Sequence, residues 1–165
     1  MQLIPPSRMI SLLVFLGCFG LIAAALYMEH VMMLDPCPLC IFQRVMVIAT
    51  GIIALIAAIH GPQMRGIQIY GGLVILSASI GGAISTRQLW LQSLPADQVP
   101  ACGASLDYLL DVFPLVEVLT MVLTGDGTCA EVVLRVLGLS IPGWTLVGFI
   151  ILAAIGLFQI LRPKS

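Results

Sequence analysis

Apolar residues along this chain fall into four long blocks separated by short polar breaks. Positions 9–28 give 20 residues between Arg8 and Glu29, and positions 41–59 give 19, interrupted only by Arg44. Positions 66–86 give 21 between Arg65 and Arg87, and positions 136–161 give 26 between Arg135 and Arg162. A helix needs about 20 apolar residues to cross the hydrocarbon core of a bilayer. Each block therefore predicts a spanning helix, the last one starting near Pro142 and running over 142–161. The first block contains Ala23-Ala24-Ala25, as a cleavable leader could. Its length exceeds the roughly 7–15 apolar residues of a secretory signal, so it is expected to stay as a span.

The breaks define the loops. Residues 60–65, with Gly61-Pro62, make a tight turn, while 29–40 and 87–141 form a short and a long loop on the other face. The long loop carries an apolar run at 113–123, with Pro114 near its start and Glu117 in its middle. Its helical length of about 16 Å at 1.5 Å per residue is half a bilayer core. That predicts a short interfacial helix or a packed loop helix, not a fifth span. Gly71-Gly72 and Gly81-Gly82 in the third span predict close helix contact. The expected fold is an all-α membrane protein: one domain, 1–165, built as a four-helix transmembrane bundle with a short interfacial helix in the second outer loop.

Composition agrees with the pattern. Of the 165 residues, 60% are hydrophobic and 9% charged, too little charge to cover a soluble domain of this size. A net charge of −1 argues against a nucleic-acid partner. Four spans put both termini on one side, together with Arg8, Arg65, Arg162 and Lys164. All eight carboxylates, Glu29, Asp35, Asp97, Asp107, Asp111, Glu117, Asp126 and Glu131, fall on the opposite side. The excess of basic residues points the termini to the cytoplasm.

Four of the five cysteines lie in the outer loops: Cys37 and Cys40 in the short one, Cys102 and Cys129 in the long one. Cys18, inside the first span, reads as a packing residue. In an oxidising compartment four outer cysteines imply two disulfides, either inert staples or exchangeable bonds. Asp35-Pro36-Cys37-Pro38-Leu39-Cys40 is unlike a staple, because so small a ring removes little chain entropy. Proline favours the first turn of a helix, so the second span is expected to start near Pro38. Cys40 would then lie in that first turn, where the helix dipole favours a thiolate. Arg44, one turn deeper on the same face, adds a cation, although it could simply snorkel as an anchor. Zinc or another soft metal bound by the cysteines is a competing reading, as is an inert structural subunit.

These residues together resemble the DsbB family of bacterial disulfide-generating membrane proteins. The resemblance covers essentially the whole chain: four spans, a Cys-x-x-Cys at the head of the second, Arg44 beyond it and a cysteine pair in the long loop. It implies a catalytic set of Cys37, Cys40, Cys102 and Cys129. Cys102–Cys129 would be the bond attacked by a reduced DsbA-type thioredoxin-fold protein, with Cys102 taking the mixed disulfide. Cys129 would then attack Cys37 and free Cys40, which would donate to a membrane quinone, by resemblance ubiquinone. Arg44, Gln88 and Gln92 would bind that quinone. Gln88 stands where better-known members carry a histidine. The implied location is the bacterial inner membrane, with the cysteine loops periplasmic and lipid and the quinone pool as further partners. The alternative function is a cysteine-based heavy-metal binding or uptake protein.

Overall fold

The computed structural model describes residues 6–95, 97–99, 106–125, 127–132 and 134–161. Four helices are long and apolar enough to cross a membrane: α1 (Ser7–His30), α2 (Pro38–His60), α3 (Met64–Gln92) and, at the C-terminal end, a helix at Ile141–Leu161. Between α3 and that last helix lie α4 (Leu106–Val112), α5 (Leu115–Thr124) and α6 (Gly127–Ala130). A two-stranded antiparallel hairpin follows, β1 (Arg135–Val136) and β2 (Leu139–Ser140), with Arg135 opposite Ser140. The hairpin leads directly into the last span, α7 (Ile141–Leu161). The chain is an all-α multi-pass membrane protein with only this small hairpin among its described residues.

The helix boundaries follow local chemistry. α2 begins with Pro38 at its first position, where a missing N–H costs nothing. It ends at Gly61, whose φ of 57° is the left-handed conformation a helix C-cap demands. Pro114 caps α5, and Gly125 at φ 80° ends it. α3 runs to Gln92, beyond the end expected at 86, because the polar residues of its last turns find partners in the folded outer loop. α1 likewise continues through Glu29, which pairs with Arg44.

In the bundle, α2 packs against both α1 and α3, and α3 packs closely on α7. The core joins Val14 and Cys18 of α1, Val47 and Ala54 of α2, Ala78 of α3, and Phe149 and Leu152 of α7. Thr50 and Ser77 bridge α2 and α3 with hydroxyls 2.8 Å apart, satisfying two polar groups where water is excluded. A second cluster sits at the outer end. Leu39, Ile84, Leu91, Val118, Val122 and Cys129 bury one another there, so α5 lies across the heads of α2 and α3. The opposite side of α5 presents Leu115 and Val116 outward.

Candidate functional site

The site grows from the head of α2. Cys37 is the N-cap, with extended backbone, and its carbonyl accepts from Ile41 N–H at 3.1 Å. Cys40 therefore sits within the first helical turn. Its sulfur lies 3.0 Å from that of Cys37, which donates to it in a hydrogen-bonded thiol pair. Gln88 comes across from α3, its Nε2 donating to both sulfurs at 3.2 Å. Gln43 Nε2 in turn donates to Gln88 Oε1 at 2.7 Å, and the same oxygen accepts from the Cys40 thiol at 3.6 Å. Both glutamines are nearly inaccessible, Gln43 at 4% and Gln88 at 3%. In such an environment an amide's hydrogen bonds are strong and its orientation well held.

Cys129 joins this pair from above. It lies on α6, 1% exposed, and is hydrogen-bonded to Cys37. Cys37 thus has a sulfur neighbour on each side. The hydrogen bond to Cys129, then that to Cys40, then burial, all push the Cys37 thiol well above its ordinary range. Each favours a proton on that sulfur. Cys102, the fourth cysteine of the expected set, lies outside the described residues.

Beside the sulfurs is a cavity of about 410 Å³ between the outer ends of α1, α2, α3 and α7. Its walls are largely apolar, with Leu21, Ile22, Met28, Val47, Leu134 and Ile141 among them. Cys37, Cys40, Arg44, Gln88 and Gln92 converge on it. Arg44 is held by an ion pair to Glu29 and by a hydrogen bond from Nη2 to the Ala25 carbonyl at 3.3 Å. Gln92 Oε1 accepts from Ser140 Oγ at 2.8 Å, which ties α3 to β2. Trp144 lines the cavity and donates from Nε1 to the Val136 carbonyl at 2.9 Å, bracing the hairpin at its edge.

Every sequence-predicted site residue that the structure describes is found at this one place. Two residues of the site were not singled out by the sequence, Gln43 and Glu29. Gln43 carried a signal, since an amide inside a spanning segment is costly unless it is used. Glu29 had none, because its pairing with Arg44 joins two helices. Among the described residues no group of three or more His, Cys, Asp or Glu side chains is arranged to hold a metal ion.

The family model described as Disulfide bond formation protein DsbB matches residues 7–159. Similar proteins named Disulfide bond formation protein B include one from Marinobacter nauticus, 59% identical over 96% of this chain and 95% of its own length. Another, from Saccharophagus degradans, is 55% identical over 96% of both chains. A third, from Hahella chejuensis, is 52% identical over the same shares.

Proposed function

The chain belongs to the DsbB family of disulfide bond formation proteins, and on that premise we propose that it is a membrane thiol oxidase using two cysteine pairs in relay. Its electrons come from a reduced DsbA-type thioredoxin-fold protein of the periplasm and go to a membrane quinone, ubiquinone. The chain is one membrane domain of the bacterial inner membrane, with cytoplasmic termini and periplasmic cysteine loops. The observation that carries the reading is Cys37, hydrogen-bonded to Cys40 on one side and Cys129 on the other, at the wall of an apolar cavity.

Thiol–disulfide exchange needs the three participating sulfurs to come into line. A partner thiolate attacks Cys102, breaking Cys102–Cys129 and releasing Cys129 as a thiolate. The partner's second thiolate then closes its own disulfide and frees Cys102. Cys129 attacks Cys37, opening Cys37–Cys40 and leaving the negative charge on Cys40. Cys102 recaptures Cys129, restoring the first pair and leaving Cys37 and Cys40 as the reduced pair. Two electrons and two protons have by then moved from the partner to the head of α2.

The residues present fit a quinone head group. The cavity is apolar, open to small planar ligands by size, and bordered by Cys40 with a few converging polar groups. Arg44 and Gln92 would hold its polar edge, Gln92 being oriented by the Ser140 hydroxyl. Glu29 fixes the Arg44 guanidinium and offsets its charge at the cavity wall. Gln88, whose Nε2 is committed to the sulfurs, stabilises electron density on Cys40. A quinone bound there supplies an acceptor for the electron pair and two protons as the Cys37–Cys40 bond re-forms.

The test is to purify the full chain and follow oxidation of a reduced thioredoxin-fold protein with and without added ubiquinone. Turnover should require the quinone and vanish in Cys40→Ser and in Cys102→Ser. Full activity of either variant, or quinone-independent turnover, would remove the proposal.

A further inference from the structure

Arg87 stands at the outer end of α3, one position before Gln88, and makes contacts that none of the relay steps employs. Its Nε donates to the Leu123 carbonyl at 3.2 Å and its Nη2 to the Thr124 carbonyl at 3.1 Å. Its guanidinium carbon lies 4.2 Å from the centre of the Trp90 ring. Leu123 and Thr124 are the last residues of α5, where a helix leaves carbonyls without internal partners and its dipole is negative. A planar guanidinium can take two such carbonyls while its face rests on an aromatic ring.

The segment just beyond α5 gives this grip its meaning. Leu91, one turn beyond Arg87 on the same side of α3, packs against Gly125 so closely that a Cβ there would lie 2.3 Å from Leu91 Cδ1. Gly125, at φ 80°, turns the chain from α5 toward α6. Four residues later Cys129, on α6, is buried in the cluster against which Cys37 packs. The end of α5 is thus fixed at two adjacent points of α3, immediately before the segment that carries the sulfur.

We propose that Arg87 is a positioning residue that, by gripping the end of α5, holds Cys129 against Cys37 for the exchange between the two pairs. The inference rests on the relay reading, in which Cys129 attacks Cys37. Arg87 directs its hydrogen bonds at α5 carbonyls and acts on the sulfurs through the α5–α6 connection.

The experiment uses the full chain with Cys18→Ala and Cys102→Ser, leaving Cys37, Cys40 and Cys129. The reduced protein is oxidised with limiting diamide, which accepts two electrons and two protons for each disulfide formed. After quenching, peptide mapping gives the ratio of Cys37–Cys129 to Cys37–Cys40. Arg87→Gln should lower that ratio about tenfold, the factor set by losing two charge-assisted hydrogen bonds at a partly exposed site. Arg87→Lys, which keeps the charge but not the fork, should lower it by about threefold on the same scale. An unchanged ratio in both variants overturns the inference. So does an equal loss of both bonds, since a merely structural role would reduce them together. Should Arg87→Gln fail to fold, Arg87→Lys decides. Absence of quinone-dependent turnover in the chain with its native cysteines would sink the relay reading instead, whatever the ratio.

Discussion

Cys37 donates to Cys40 across 3.0 Å and is also hydrogen-bonded to Cys129, and both neighbours favour its neutral thiol. An ordinary thiol titrates near pH 8.5, and its alkylation levels off once it is mostly thiolate. Here the neutral form is favoured, so the folded protein holds the Cys37 proton to higher pH than the unfolded chain does. In the fully reduced protein, iodoacetamide labelling of Cys37 should keep rising beyond about pH 10, where an ordinary thiol has levelled off. A plateau reached by about pH 10, read by peptide mapping, would show that the neighbouring sulfurs do not hold the proton. By the same linkage, this thiol's contribution to stability is intact below the ordinary thiol pKa and is lost as pH rises above it. The candidate residues were legible here because Cys-x-x-Cys and Arg44 are a local pattern. Their partners were not: Gln88 reaches Cys37 and Cys40 from 51 and 48 residues away. Spacing placed Gln88 and Gln92 one turn apart, but it could not say that one amide turns to sulfur and the other to Ser140.

At the scale of elements, the α3–α7 seam shows how a bundle in lipid coheres through close packing. Gly71 and Gly156 approach so nearly that a Cβ on Gly156 would sit 2.9 Å from the Gly71 carbonyl. Higher up, the Phe149 ring fills the space over Gly81, where an added Cβ would lie 2.2 Å from ring Cζ. Gly81→Ala should therefore cost about 1–3 kcal/mol by overpacking, seen as a lower unfolding temperature in detergent. Adding Phe149→Leu, which shortens the ring side chain, should recover part of that loss, a coupling that a double-mutant cycle measures. If the two effects simply add, the contact is not the cause. Paired glycines were visible in the sequence, yet Gly71 and Gly81 make the close contacts while Gly72 has none within 4 Å. Which glycine of each pair faces the neighbour depends on helix rotation, which α7 sets and the third span alone does not reveal.

For the whole molecule, the bilayer makes the largest feature the easiest to read. Backbone groups in lipid must bond within their own segment, so an apolar block of sufficient length has little choice but helix. The folded outer loop obeys no such rule: α5, α6 and the hairpin are fixed by Arg87, Leu91 and Gln92, partners distant in the chain. The expected orientation rests again on a global bias, with Arg8 and Arg65 at one end and the Glu29–Arg44 pair and the sulfur cluster at the other. Basic residues resist translocation far more than acidic ones favour it, so the end bearing Arg8, Arg65, Arg162 and Lys164 should remain inside. The exposed positions Leu137, at the hairpin tip, and Gln63, in the turn between α2 and α3, lie at opposite ends and suit a labelling test. In a cysteine-free background, Leu137→Cys should react with an impermeant maleimide on intact spheroplasts, and Gln63→Cys only after permeabilisation. The reverse pattern would put the dithiol on the reducing side of the membrane, where a disulfide relay would run against the thiol pool around it.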